Sequence, residues 1–296
     1  MRQPRTPLAN PASLFYAGGP ALMLLRGLLG LSQKLAPALS ARLAFQVFST
    51  PLPLKWAKRR GLPAPWQAQP WELMGRRLCA WRHRDADAGA VRPRVLLVHG
   101  WAGQARQMQA LAEALWQAGF DPLLLDMPAH GHSRGWRTHM PQFLQTLHGA
   151  GQRFGPFHGV VAHSLGAVAA AHAVASGLPA RHLVLIACSA PPRQVLGWFG
   201  HSFGLGEPVM ARIRARLAEL GGVALEAFEP DWLGPRLAAR TLLVHDRQDR
   251  AAPLAHAQAL HAALPGAHLH VTEGLGHRRV LADVAVLAAV GRHLAG

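Results

Sequence analysis

A serine in a turn of small residues is the feature of this sequence that most directly predicts chemistry. An apolar run at 159–162 precedes Ser164, and an alanine-rich stretch at 165–176 follows it. This order is typical of a nucleophile elbow, in which a strained serine presents its hydroxyl at the carboxyl end of a strand. The usual pattern is G-x-S-x-G, and Ala162 replaces the first glycine. Because similar turns also occur without catalysis, the partners of the serine must decide.

Two later loops supply candidate partners for this serine. A serine hydroxyl needs a histidine to accept its proton and a carboxylate to orient that histidine. His277 follows the last apolar run within Gly-Leu-Gly-His, and Asp249 follows the preceding run. Asp246 lies in the same loop as Asp249 but at the strand end, so we expect it to hydrogen-bond the loop backbone. The order Ser164, Asp249, His277 predicts a catalytic triad.

The oxyanion that forms during acyl transfer also needs hydrogen-bond donors. One predicted donor is the backbone N–H of Leu165, at the start of the helix after the serine, where the helix dipole helps. The other is the backbone N–H of Trp101 in the sequence His-Gly-Trp-Ala-Gly at 99–103. The side chains of Trp101 and His163 are candidates for lining the pocket, and simple packing is the alternative for both.

These residues need a scaffold that brings strand ends together. Short apolar runs alternate with helical patterns in the order that predicts a mainly parallel central sheet covered by helices on both faces. The predicted strands are 77–82, 94–98, 122–126, 159–162, 182–187, 241–245 and 268–272. The predicted helices are 104–118, 140–154, 165–176, 253–263 and 280–294. In such sheets functional sites gather at the carboxyl ends of the strands.

About fifty residues separate two of these strands where one helix would suffice, so we predict a helical cap at about 190–238. Helical patterns at 194–203 and 208–220 fall within it. Its aromatic residues Trp198 and Phe203, together with His163, are the candidate substrate contacts. The alternative for each aromatic residue is that it only packs the cap onto the core.

The first 70 residues are predicted to form an amphipathic and linker region ahead of the domain at 71–296 that carries the triad. The apolar stretch 14–31 is broken by Arg26 and several glycines, which argues against a membrane span and a cleaved signal. An amphipathic helix is predicted at 31–48, followed by a proline-rich linker at 52–70. The helix either packs on the catalytic domain or lies on a membrane, so peripheral membrane contact through 14–48 stays open.

Composition limits the other classes of function. The 296 residues suit one large domain, and two cysteines in apolar segments predict neither a disulfide framework nor a metal site. The net charge of +16 comes mostly from scattered arginines, and only 55–60 resembles a basic patch. We therefore favour a solvated basic surface over a partner-binding role and predict no nucleic-acid partner. No cofactor and no bound metal are expected either.

The motifs taken together resemble the α/β-hydrolase superfamily over about 75–296. The matching segments are H-G-W-A-G at 99–103, D-M-P-A-H-G-H-S at 126–133, A-H-S-L-G-A at 162–167, H-D-R-Q-D-R-A-A-P at 245–253 and G-L-G-H at 274–277. The resemblance implies Ser164 as nucleophile, Asp249 as acid, His277 as base, and Trp101 with Leu165 as oxyanion hole. It also implies that the histidines of 126–133 are not metal ligands.

The expected activity is a cytoplasmic or membrane-associated esterase or lipase-like enzyme that forms an acyl-serine with a small-molecule acyl substrate. Thioesterase, lactonase and acyltransferase activities use the same machinery and remain alternatives. A non-catalytic binding protein on the same fold is the alternative from a different class. It would tolerate loss of the triad, so three intact members argue against it.

Overall fold

Short apolar runs form one eight-stranded sheet in the computed structural model, which describes residues 20–52 and 60–296. The strands are β1 (Trp66–Leu73), β2 (Arg76–His83), β3 (Arg94–Val98), β4 (Asp121–Asp126), β5 (Phe157–His163), β6 (Ala180–Ile186), β7 (Arg240–Asp246) and β8 (His268–Thr272). Their order is β1-β2-β4-β3-β5-β6-β7-β8. Strands β3 to β8 run parallel, whereas β1 and β2 join antiparallel. The predicted mainly parallel sheet is confirmed.

Helices cover both faces of this sheet. They are α1 (Pro20–Leu35), α2 (Pro37–Phe48), α3 (Gln109–Gln117), α4 (Met140–Phe154), α5 (Leu165–Ala175), α6 (Pro192–Phe203), α7 (Glu207–Gly221), α8 (Pro230–Leu233), α9 (Leu254–Ala263), α10 (Gly276–Arg279) and α11 (Val284–Ala295). Because strand side chains alternate, Leu96 joins the core beneath α4 and α5 while Leu97 joins the core beneath α3 and α11. A central strand buried on both faces must be apolar, as β3 is from Val95 to Val98.

Two predicted helices begin differently from expectation. The segment 104–118 opens with a short 3-10 helix, Ala105–Met108, before α3. The helix predicted at 280–294 begins later, at Val284, because the side chain of Asp283 accepts a hydrogen bond from the Val286 N–H and starts α11 there. A single turn, α10, precedes it and carries His277.

The prediction of a linker at 52–70 was wrong for the carboxyl end of this segment, because β1 begins at Trp66. Prolines indicate a linker in sequence, but an edge strand tolerates proline because one side of its backbone makes no ladder hydrogen bonds. Pro70 pairs with Cys79 of β2 in the edge pair of the sheet, and Trp66 and Trp71 are buried. The predicted domain boundary between 70 and 71 therefore falls inside β1.

The predicted helix at 31–48 is two helices, because Pro37 ends α1 and starts α2. Both pack on the cap helices α6 and α7 through a cluster that includes Leu29, Ala44, Phe199 and Ile213. No helix within the described residues is long and apolar enough to cross a membrane. Residues 14–19 of the apolar stretch and 55–59 of the basic patch lie outside the described residues.

The predicted cap lies between β6 and β7. Its two longer helices, α6 and α7, match the predicted segments 194–203 and 208–220 with small extensions. Gly204 and Gly222 end these helices with φ of 62° in both cases, a left-handed conformation that glycine adopts without strain.

Candidate active site

Ser164 lies in a strained turn between β5 and α5. Its backbone has φ 57° and ψ −123°, a combination that costs an L-residue about 1–3 kcal/mol. The Ser164 N–H donates to the carbonyl of Ile186 at the end of β6 over 3.0 Å. The Ser164 carbonyl accepts from the Ala167 N–H over 3.0 Å, which begins the first turn of α5. The strand ladder and the helix together therefore hold the serine in this conformation.

Two glycines let other backbone segments approach this turn. A Cβ at Gly100 would lie 2.7 Å from the Cβ of Ser164, and a Cβ at Gly166 would lie 2.3 Å from the His99 carbonyl oxygen. Ala162, which replaces the first glycine of the usual pattern, is fully buried and packs in the core on one face of the sheet. The alanine therefore occupies core space, and the turn itself still closes.

Ser164, His277 and Asp249 form one chain of hydrogen bonds. The Ser164 hydroxyl donates to His277 Nε2 over 3.0 Å, and His277 Nδ1 donates to Asp249 Oδ2 over 2.7 Å. The three residues come from the loops after β5, β8 and β7. In a parallel sheet these loops leave from the same edge, which explains how residues 113 and 28 positions apart in sequence meet.

The environment of Asp249 keeps it ionised. Burial acts to raise the pKa of Asp249, but the hydrogen bond and charge of His277 and the N–H groups of Ala252 and Ala251 outweigh burial and hold this pKa below its usual value. Its Oδ1 accepts from the two N–H groups over 2.8 and 2.9 Å. An ionised Asp249 places the imidazole proton on Nδ1 of His277, so Nε2 is left to accept the proton of Ser164.

Asp246 hydrogen-bonds the loops after β7 and β8 instead of the His277 imidazole. Its carboxylate accepts from the Gln248 N–H over 3.0 Å, the Thr272 hydroxyl over 2.9 Å and the Leu275 N–H over 2.9 Å. These bonds join the loop after β7 to the loop after β8, which carry Asp249 and His277. The prediction that Asp246 hydrogen-bonds the loop backbone is confirmed.

The two residues predicted to supply backbone donors lie beside Ser164. Leu165 is the first residue of α5, so its N–H has no acceptor within the helix, and both Leu165 and Trp101 border the cleft beside Ser164. The loop that carries Trp101 is held by two buried rings. His99 Nε2 accepts from the Met127 N–H over 3.1 Å, and His130 Nε2 accepts from the Ala102 N–H over 2.9 Å.

The segment 126–133 is thus a support for the loop that carries Trp101. Asp126 accepts from the Ala105 N–H over 2.7 Å and from the Trp81 Nε1–H over 3.0 Å. Burial acts to raise the pKa of Asp126, but the hydrogen bond from His132, the charge of His99 and these donors hold it below its usual value. Within the described residues, no group of three His, Cys, Asp or Glu side chains is placed to hold a metal ion.

Two family models match consecutive parts of this chain. The model described as serine aminopeptidase, S33, matches residues 89–223, and the model described as TAP-like protein matches residues 228–295. The chain belongs to the α/β-hydrolase superfamily. The membership that the sequence motifs indicated is therefore confirmed.

Solved structures share the fold of this hydrolase at low sequence identity. Est1E from Butyrivibrio proteoclasticus, with ferulic acid bound, is 19% identical with a TM-score of 0.62, and the match covers 77% of this chain and 100% of that chain. The Pyrococcus furiosus esterase Pf2001 is 19% identical with a TM-score of 0.59, covering 79% of this chain and 94% of that chain. A bacterial membrane phospholipase A is 16% identical with a TM-score of 0.59, covering 93% and 97%. No curated protein sequence matches the hydrolase significantly.

Ser164 lines an apolar cleft of the hydrolase. The cleft measures about 1110 Å³, including the part that is open to solvent. It is lined by Phe48, Trp101, His139, Met140, Pro141, Ser164, Leu165, Ser189, Pro192, Val195, Trp198, Leu217, Val223, Leu225, Phe228 and Ala251. Burial and the charges of Arg76 and Arg216 lower the pKa of His139 to about 4, so this wall residue is neutral at neutral pH. The walls beside Ser164 are therefore mainly apolar.

The three residues predicted to contact the substrate lie in different parts of the hydrolase. Trp198 lines the cleft, but His163 and Phe203 do not, and the prediction of substrate contact is corrected for these two. Phe203 is buried against Phe199, with ring centroids 4.8 Å apart, in the cluster shared with α1 and α2. His163 is buried and packs against His277, with ring centroids 4.7 Å apart.

Phe48 is a cleft residue that sequence reasoning missed. It ends α2, far in sequence from the elbow, and its apolar type is equally typical of a packing residue. The support given by His99 and His130 was also missed, although their positions in 99–103 and 126–133 were the available signal.

Proposed function

We propose that the chain is a serine hydrolase that cleaves carboxylic esters through an acyl-serine intermediate. The observation that carries this proposal is the hydrogen-bond chain from Ser164 through His277 to Asp249 at the wall of an apolar cleft. A nucleophile that hydrogen-bonds a base, which in turn hydrogen-bonds an orienting carboxylate, is the arrangement that acyl transfer requires.

In the first half of the proposed reaction, His277 Nε2 takes the proton of Ser164 while Oγ attacks the ester carbonyl carbon. The carbonyl oxygen becomes negative and receives hydrogen bonds from the N–H groups of Trp101 and Leu165. The tetrahedral intermediate collapses, the bond to the alcohol oxygen breaks, and His277 gives its proton to that oxygen. The products of this half are the free alcohol and an ester of Ser164.

In the second half, water replaces the alcohol. His277 takes a proton from water, the resulting hydroxide adds to the acyl carbon, and the same backbone N–H groups hold the new oxyanion. Collapse breaks the bond to Ser164 Oγ, which regains its proton from His277, and the carboxylic acid leaves. Asp249 stays ionised throughout and stabilises the imidazolium.

Two observations favour esters of apolar acids as substrates. The cleft walls are mainly aliphatic and aromatic side chains, including Trp198, Leu217 and Phe228. Structural neighbours include two esterases and a membrane phospholipase A, although a thioesterase domain from a curacin pathway is also among them. Thioester hydrolysis, lactone hydrolysis and acyl transfer to an alcohol therefore remain the alternatives on the same triad.

A substrate series tests this proposal. Aryl esters and acyl thioesters with acyl groups from acetyl to palmitoyl are offered to the wild-type chain and to Ser164→Ala. We expect ester turnover to rise with chain length and to fall by at least about 10³-fold in Ser164→Ala. Thioester turnover that exceeds ester turnover at every length would favour the thioesterase alternative. Ester turnover that is equal in both proteins would refute the proposal.

A further inference from the structure

The outer face of α1 and α2 is an exposed apolar surface. Seven of the twelve exposed large hydrophobic residues of the described part of the chain lie on these two helices. We call them the leucine stripe: Met23, Leu24, Leu28, Leu31, Leu35, Leu39 and Leu43. Spacings of three and four residues place Leu24, Leu28, Leu31 and Leu35 on one face of α1. The other five exposed hydrophobic residues are scattered over later elements.

The opposite face of the same helices is already occupied. Leu29 is 1% exposed and packs with Ala44 of α2 and with Phe199 of α6. Helix α1 is therefore apolar towards the protein, and most of its exposed side chains are apolar as well. A surface helix of a globular protein usually keeps its outer face polar, so an outer face made mainly of leucines indicates a second apolar neighbour.

The charge of this region indicates which neighbour fits. No Asp or Glu occurs before Glu72. The same segment carries the basic residues Arg2, Arg5, Arg26, Lys34, Arg42, Lys55, Lys58, Arg59 and Arg60. Lys34 and Arg42 are exposed beside the leucine stripe. Leucines flanked by basic residues, with no acidic residue among them, complement the apolar interior and negative headgroups of an anionic bilayer.

The leucine stripe is also joined to the cleft. Phe48 at the end of α2 lines the cleft, as do Trp198 of α6 and Leu217 of α7. Gln33 of α1 binds the loop between these cap helices twice, because its Nε2 donates to the Gly204 carbonyl over 2.9 Å and its Oε1 accepts from the Gly206 N–H over 2.8 Å. The helices that carry the stripe thus pack on the same cap helices that line the cleft.

We propose that the leucine stripe docks on an anionic lipid bilayer and that the adjacent cleft takes acyl esters of membrane lipids. The helices lie in the headgroup region, with the leucines among the acyl chains and Lys34 and Arg42 near the phosphates. The docking half depends only on the stripe. The substrate half rests on the proposed ester hydrolysis at Ser164.

Vesicle binding of the full chain tests the docking half. Co-sedimentation is measured with vesicles of phosphatidylcholine alone and with vesicles that contain phosphatidylglycerol. We expect binding to the anionic vesicles and at least about a tenfold lower partition coefficient for Leu24→Ser/Leu28→Ser/Leu31→Ser/Leu35→Ser. Lys34→Gln/Arg42→Gln should lower it by about tenfold on anionic vesicles. Met74→Ser/Val284→Ser, which removes two other exposed hydrophobic residues, should bind like wild type.

The substituted side chains are exposed, and an unchanged melting temperature establishes that each variant is folded. Absence of wild-type binding to anionic vesicles, or equal binding by the leucine variant, would overturn the proposal. It would also be overturned if the leucine variant kept its vesicle binding but dissociated a dimer in solution, because the stripe would then join copies of the chain.

Ser164→Ala separates the two proposals. We expect this variant to bind vesicles like wild type, so docking is tested even if no ester is hydrolysed. If esters are hydrolysed, the leucine variant should keep its turnover of a soluble short-chain ester and lose about tenfold of its turnover of a lipid ester in anionic vesicles. Equal turnover of the vesicle ester by the variant and wild type would overturn the substrate half.

Discussion

His163 donates its Nε2–H to the backbone carbonyl of His277 over 2.8 Å, and the two rings lie 4.7 Å apart. His163, which precedes Ser164, thus hydrogen-bonds the backbone of His277, and the ring of His277 hydrogen-bonds Ser164. His163 is buried, and burial together with the charge of His277 lowers its pKa to about 3. It is therefore neutral at neutral pH, and we expect it to position His277 and not to exchange protons in the reaction.

Replacing His163 should separate positioning from folding. His163→Phe keeps a planar ring at this position but removes the hydrogen bond to His277, so we expect kcat for an ester to fall about 10- to 100-fold through misplacement of the imidazole. The melting temperature should change little, because Nδ1 of His163 is buried without a hydrogen-bond partner among the described residues and the substitution also removes this cost. His182→Phe, at the amino-terminal end of β6, should keep kcat. Equal kcat in His163→Phe and wild type would contradict the positioning role.

The lowered pKa of His163 predicts that His163→Phe changes the pH dependence of stability. The folded-state pKa of His163 is about 3, below its ordinary value of 6.5, so between these values the unfolded chain binds a proton that the folded chain does not. This contribution to stability is present above pH 6.5 and is lost as the pH falls towards 3. Urea unfolding near neutral pH and at about pH 5 should give a smaller loss of unfolding free energy for His163→Phe than for wild type. An equal loss of unfolding free energy in the two proteins would contradict the lowered pKa of His163.

Asp246, which ends β7, and Asp249, in the loop that follows, should differ in their effects when substituted. Asp249→Asn removes the charge opposite His277 Nδ1, and we expect kcat to fall by about 10³- to 10⁴-fold with small change in KM. Asp246→Asn breaks bonds to Thr272 and Leu275, so we expect a lower melting temperature and most of kcat retained. Steady-state kinetics and thermal unfolding of both variants check this. The reverse pattern would assign the orienting role to Asp246.

Two aromatic residues of α6 should affect different properties. Trp198→Ala enlarges the cleft, and we expect KM to rise about tenfold for long acyl esters and much less for acetyl esters. Phe203→Ala empties a site in the buried cluster beneath α1 and α2, and we expect a loss of about 3–5 kcal/mol in the free energy of unfolding. Its preference among chain lengths should match that of wild type. A shift in chain-length preference in Phe203→Ala alone would contradict this division.

The meeting of Ser164, Asp249 and His277 was predictable from sequence because each follows an apolar run. Parallel strands bring their carboxyl ends to one edge, so position along the chain was enough to place these residues together. The orientation of His163 was harder to predict, since a residue at a strand end can turn towards the cleft or behind it. Strand β1 was missed because prolines indicate a linker, and only pairing with β2 makes Trp66 to Pro70 a strand.

The cleft was the least predictable part of the site. Its walls combine the loop after β3, the cap and Phe48 of α2, and none of these has a spacing that marks a contact with the others. Hydrophobic residues at helical spacing predict a buried face, but they do not tell which of several neighbours that face meets. Hence Trp198 and Phe203, five residues apart in one helix, were equivalent as candidates although only Trp198 reaches the cleft.

Covalent labelling of Ser164 is the most direct test of the central claim. The wild-type chain is treated with a fluorophosphonate, and the modified residue is located by mass spectrometry of its peptides. We expect one adduct per chain on Ser164, no adduct in Ser164→Ala, and slower labelling in His277→Ala because the serine has lost its base. An adduct on another residue, or equal labelling of wild type and Ser164→Ala, would contradict the assignment of Ser164 as the nucleophile.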